Sequence, residues 1–291
     1  MVYQAIKRDN IACTTAMAII TGGLFFTMMT ASPLYQLTTT VLFSWWVFAV
    51  VAFYAARKWP QILWGIVPLA FALLISMFIE YGSDPVRLKG FMANDNHAAG
   101  LLTLGVAFLL TRKSQHGQWP FDWYALAALP LTFGVMMTGS RLAVLVVVLC
   151  FSIFCFQRSN LKLALMLATV IAIGLLNSDI AEGLRMQSNH VADIGSRLNA
   201  GMVPNGLLGQ ENGWLFFHNA PVQIAYNAGW PAAFAWMGLA VGSVFYAIRN
   251  NNSIMLLLAA LMLCTLDHYF WWPGTLAPIF WAVMGASHAR A

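Results

Sequence analysis

Charge is what this chain has least of. Only 9% of its 291 residues are Asp, Glu, Lys or Arg, against about 25% in ordinary soluble domains. The deficit runs the whole length, which argues against a large soluble core and for an integral membrane protein. Cysteine is scarce as well. The 4 cysteines, Cys13, Cys150, Cys155 and Cys264, all fall in apolar runs. None has CxxC or metal-ligand spacing, so they are expected to be small buried apolar residues. No carboxylate pair has metal-ligand spacing, and no glycine loop of the phosphate-cradling kind occurs. Nucleotide hydrolysis and a dedicated metal site are therefore unsupported. Internal repeats and low-complexity segments are absent too. The net charge of +5 comes from cations placed in ones and twos between apolar runs. That pattern argues against nucleic acid as a partner and fits topology determinants in a lipid bilayer.

Apolar and aromatic residues are what the chain does have. It is 60% hydrophobic and 14% aromatic, with 12 Trp suited to interfacial rings. A helix needs roughly 20 apolar residues to cross a bilayer. Ten runs meet or approach that: 11–31, 38–56, 61–80, 97–111, 122–138, 140–157, 161–177, 218–248, 253–270 and 274–289. The first follows Lys7 and Arg8. It exceeds the about 7–15-residue core of a signal peptide and is expected to stay as a helix. The fourth run is short, the fifth and sixth join at Gly139, and Pro273-Gly274 and Pro278 interrupt the last. The expected fold is an all-α integral membrane protein of about ten transmembrane helices. It forms a single polytopic domain over 1–291, with a large outer loop at 178–217 between the seventh and eighth spans.

Charge placement orients these helices. With the N-terminus inside, Lys7, Arg8, Arg57, Lys58, Arg112, Lys113, Arg158, Lys162, Arg249 and Arg290 all fall on the cytoplasmic side. Each predicted cytoplasmic loop then holds a cation, and both termini are cytoplasmic, as the positive-inside rule requires. Only Asp9 and Asp122 among the acids lie inside. Orientation leaves Arg87, Lys89, Arg141, Arg185 and Arg197 unexplained, so function is sought on the outer side. There the loops 81–96 and 178–217 are long and polar, and loops of such length are usually functional or disordered.

Five constellations on that side could carry chemistry. In Thr138-Gly139-Ser140-Arg141, the arginine either snorkels to headgroups or faces a cavity and holds a phosphate. In the second case Ser140 and the following helix start add donors. In Asn94-Asp95-Asn96-His97, Asp95 or Asn96 is expected to cap the fourth helix, and His97 is a secondary candidate base. Arg185 and Arg197 are either solvated loop cations or the pair that a lipid-linked diphosphate requires. His218-Asn219 stands where the large loop meets the next apolar run. His218 either hydrogen-bonds headgroups or acts as a general base at neutral pH, with Glu211 and Asn219 as orienting partners. Asp267-His268 precedes Tyr269-Phe270-Trp271-Trp272, a run best read as an interface belt.

At these residues the chain resembles the O-antigen ligase and O-antigen polymerase superfamily of bacterial membrane glycosyltransferases. GFMANDNHAAGLLTL (90–104), TGSRLAVLVVVL (138–149) and HNAPVQIAYNAGWPAAFAWMGL (218–239) carry the resemblance, in the family's order and with its large outer loop before the last of them. The chain departs in having fewer spans and Asp95 where a proline is common. The resemblance implies a GT-C-like fold in the bacterial inner membrane. It further implies an undecaprenyl-diphosphate-linked glycan as donor, a glycan or lipid A-core hydroxyl as acceptor, inversion at the anomeric carbon, and no cofactor. Arg141 and Arg197, with Arg185, would hold the diphosphate beside Ser140, Asn96 and His97, and His218 would be the base with Asn219 positioning it. The alternative class is a lipid-linked oligosaccharide flippase or other transporter, though such folds favour inverted repeats, which this chain lacks.

Overall fold

The computed structural model describes residues 2–30, 33–82, 88–92, 94–112, 123–158, 161–177, 179–180, 220–249, 254–265 and 276–289. Among them all regular structure is helical. The helices are α1 (Val2–Thr30), α2 (Pro33–Lys58), a 3₁₀ turn (Pro60–Gly65), α3 (Ile66–Tyr81), α4 (Asp95–Leu110), α5 (Trp123–Met137), α6 (Arg141–Arg158) and α7 (Leu161–Leu176). Then come α8 (Ala220–Ala228), α9 (Trp230–Arg249), α10 (Ile254–Thr265) and α11 (Leu276–Ser287).

Each of the ten apolar runs carries helix. Among the described residues four are long and apolar enough to cross a membrane, namely Ile11–Thr30, Thr40–Lys58, Pro60–Tyr81 and Trp230–Arg249, and the others are shorter apolar helices. Many outward faces are apolar: Ile79 is 76% exposed, Val241 71% and Phe156 89%. So many large apolar side chains left exposed are unusual on a soluble monomer and are compatible with a multi-pass membrane protein. Two joins decide how the runs divide. Gly139, at φ 70, turns the chain between α5 and α6, and Gly229, at φ 87, breaks the run 218–248 into α8 and α9. Glycine adopts such backbone without the Cβ clash other residues meet.

The chain forms two compact units. The first comprises Met1–Gln61, Ile194–Ile254 and Cys264–Ala291, and the second Ile62–Asp193 with Met255–Leu263. In the first, Trp46 donates to Thr21 (2.8 Å), Thr14 meets Tyr54 (3.3 Å), and Phe25 packs on Phe43. Rising numbers on α1 meet falling numbers on α2, so the two are antiparallel. Trp46 packs edge-on against Trp281, and Phe53 lies against His288. Numbers now rise together, so α2 and α11 run parallel, in the most extensive contact among the described helices. Trp236 stacks on Phe280, and Ser243 meets His288, so α9 runs the same way.

In the second unit α4 is buried on every side from Ala98 to Leu110, as a helix apolar all round must be. Gly105 lies against Ala70 and Leu131, and Gly134 against Leu74 and Leu102. Hence α3 and α5 both run antiparallel to α4. Gly174 on α7 lies against Met136. In the first unit the α2 end with Arg57 and Lys58 and the α9 end with Arg249 fall together, as the parallel packing requires. In the second, Arg112 stands at the end of α4 opposite to the Arg141 end of the unit.

Candidate functional site

Chemistry gathers at one end of the second unit. The start of α4 is built by Asn94, whose extended backbone (φ −150, ψ 167) places its side-chain oxygen to accept the His97 N–H at 2.8 Å. The cap is therefore Asn94, not Asp95 or Asn96. Three good capping residues stand in a row, and the first is the one whose backbone lies outside the helix. Asp95 is the first helical residue and accepts the Asn96 N–H at 3.0 Å. Asn96 and His97 occupy the first turn and are half-buried.

The antiparallel packing of α4 and α5 carries this helix start to the turn after α5. There Thr138, fully buried, donates its hydroxyl to the Val135 carbonyl at 2.7 Å and accepts the Ser140 N–H at 3.2 Å. Ser140 is itself buried, and its carbonyl accepts the Val144 N–H at 3.1 Å, opening α6. Arg141 is the first residue of α6 and is exposed. A cation at this position faces the positive end of the helix dipole, so packing and orientation alone do not favour it. A helix start is a place where an anion binds well, through the first-turn N–H groups and the helix dipole.

The loop between α3 and α4 is tied to the same end. The Glu80 carboxylate accepts the N–H groups of Lys89 (2.9 Å) and Gly90 (2.6 Å), and Ser76 accepts that of Phe91 (3.2 Å). Leu88 then donates its N–H to the Met137 carbonyl at 3.0 Å, joining this loop to the α5–α6 turn. Tyr81 donates to Asp179 at 3.1 Å and takes the Asn177 amide at 3.5 Å, which fixes the end of α7 beside them. Among the sequence-selected residues, Asn96, His97, Ser140 and Arg141 thus share one end of one unit. His218, Asn219, Arg185, Arg197 and the rest of 181–219, which holds most of the expected outer loop 178–217, lie outside the described residues, as do Asp267 and His268. No group of three or more His, Cys, Asp or Glu is placed to hold a metal ion among the described residues.

Sequence reasoning passed over two polar clusters, both in the first unit. On α8, Gln223 and Asn227 are buried, and the Gln223 amide donates to Asn227 at 2.6 Å. Their i, i+4 spacing places them on one helix face. A spacing check for amides within the apolar run would have found them. At the other end of that unit, buried His288 meets Ser243 Oγ at 2.9 Å and Cys13 Sγ at 3.7 Å, with its ring against Phe53 and Tyr246. It therefore joins α1, α2 and α9 to the chain just beyond α11. Searches against protein-family models, curated proteins and solved structures give no match to this chain.

Proposed function

We propose that this protein is a GT-C-like glycosyltransferase of the bacterial inner membrane, with about ten spans, both termini cytoplasmic and its site on the periplasmic face. It takes a glycan from undecaprenyl diphosphate and passes it to a hydroxyl of a second glycan or of lipid A core. The observation that carries this reading is the Ser140–Arg141 start of α6, a fork of donors at a helix N-terminus on the same end as the Asn94-capped start of α4. Such an end suits a phosphate oxyanion.

In the proposed reaction the acceptor oxygen attacks the anomeric carbon and forms the new glycosidic bond. The bond from that carbon to the diphosphate breaks, with inversion, and undecaprenyl diphosphate leaves with the electron pair. His218 takes the acceptor's proton, as an imidazole near neutrality can. Asn219 orients the histidine or a sugar hydroxyl. Arg141, Arg197 and Arg185 stabilise the negative charge that grows on the leaving diphosphate. Ser140, Asn96 and His97 add hydrogen bonds around the donor.

The test is reconstitution with an undecaprenyl-diphosphate glycan, following chain growth or transfer to lipid A core. Removing one charge-stabilising donor from comparable sites costs about 10²–10³ in turnover, and removing a general base about 10²–10⁴. Arg141→Ala and His218→Ala are each expected to lose activity on that scale. Unchanged turnover in both variants would sink the site assignment.

A further inference from the structure

Arg112 stands just beyond the last turn of α4, at the end of the second unit opposite to Arg141. The N–H groups of Thr111 and Arg112 close the last turn onto the carbonyls of Ala107, Phe108 and Leu109. The Arg112 guanidinium lies over the Phe108 ring, 4.3 Å from its centroid, and 5.0 Å from that of Trp64. These two rings meet edge-to-face at 5.1 Å, and Tyr124 packs on Trp64 at 6.0 Å. The cation therefore rests on an aromatic floor built from the 3₁₀ turn, α4 and the start of α5. Its Nε is buried and has no hydrogen-bond partner among the described residues.

A half-desolvated cation resting on rings gains from the ring faces, but its in-plane donors still need oxygen acceptors. With Nε enclosed, the remaining donors are the two terminal nitrogens, which form the fork that matches a phosphate. Burial lowers the Arg112 pKa from its ordinary value and Tyr124 opposes that, yet a guanidinium starts so far above neutrality that it keeps its charge. The surroundings are those of a membrane interface. Trp64 and Ile62 are 40% and 45% exposed, and Trp123, at the start of α5, is 55% exposed. Amphipathic rings at such a level sit among lipid glycerol and headgroups. The orientation read from charge makes this end cytoplasmic, where anionic lipid is concentrated.

We propose that Arg112, seated on Phe108 and Trp64, binds the phosphate of an anionic phospholipid headgroup in the inner leaflet. The inference rests on this end of the second unit and on the charge-read orientation, and stands or falls separately from the transferase chemistry. It is tested by native mass spectrometry of the full-length protein released from nanodiscs of mixed phosphatidylglycerol and phosphatidylcholine. Wild type is expected to retain phosphatidylglycerol preferentially. One basic side chain near an anionic surface is worth about a fivefold preference, so Arg112→Gln is expected to lose retention by that factor. Arg112→Lys, which keeps charge but not the fork, is expected to fall between them. If Arg112→Gln proves unfolded by circular dichroism, the difference between wild type and Arg112→Lys decides. Equal retention in the folded proteins overturns the proposal. So does full displacement of phosphatidylglycerol by millimolar inorganic phosphate, which would make free phosphate the ligand.

Discussion

Gly22 and Gly23 are adjacent in α1 and look interchangeable in the sequence. A Cβ at Gly22 would meet nothing, whereas one at Gly23 would run into the backbone carbonyl of Ala228, at the end of α8. Close backbone approach through small residues is the usual way apolar helices pack in membranes. Gly22→Ala is expected to be neutral or stabilising by up to about 1 kcal/mol, the helix-propensity difference. Gly23→Ala is expected to destabilise by about 1–3 kcal/mol, because a packed backbone cannot give way as a side chain can. Thermal unfolding of the two variants in detergent, compared side by side, checks this. The sequence does not distinguish these glycines because the difference lies in a partner roughly two hundred positions away. For the same reason nothing in the sequence marks His288. A lone histidine near the end of the chain gives no hint of Ser243, Cys13, Phe53 and Tyr246 around it.

Elements were more legible than their ends. Long apolar runs mark helices because a bilayer-length helix leaves no room for polar residues, and every run carries one. The end of α5 was also visible, since Gly139 is the residue that can turn there. The cap of α4 was misplaced by one or two residues because Asn94, Asp95 and Asn96 are equally suited by type. Only the backbone decides, and Asn94 is the one left extended. Asn94→Ala is therefore expected to cost about 1 kcal/mol of stability, with Asn96→Ala costing clearly less. Chemical or thermal denaturation in detergent reads the difference. An equal loss in both would show that the first turn is held by something other than the cap. Within the run 218–248, Gly229 takes a positive φ and separates α8 from α9, a division that run length and hydropathy do not mark.

The whole molecule shows which arguments from charge carry furthest. The orientation rule needs only the order of cations along the chain, and helix packing inside each unit keeps its ends in register with that order. Arg57, Lys58 and Arg249 gather at one end of the first unit. Arg112 and Arg141 stand at opposite ends of the second. The proposed orientation makes a direct prediction for the large loop. Single cysteines at His190→Cys and Gln210→Cys, in a background lacking Cys13, Cys150, Cys155 and Cys264, are expected to react with a membrane-impermeant maleimide added to the periplasmic side. Labelling only from the cytoplasm would reverse the topology and remove the reason for singling out Arg141, Arg185 and Arg197. The division into two units had no signature in composition or charge, since it rests on which helices touch.

That division bears on how the protein is made. The partner of α2 along its most extensive contact is α11, and about two hundred residues separate them. A ribosome adds about 5–20 residues per second, so α2 waits on the order of ten to forty seconds for its mate. During that time α3 to α7 are synthesised in one continuous stretch and can pack with one another. The face of α2 around Trp46, Ala49 and Phe53, buried in the finished protein, must meanwhile be covered by lipid, by α1 or by an insertion factor. Truncation before α11 would therefore leave the opening helix pair, rather than the middle of the chain, as the substrate for membrane quality-control proteases.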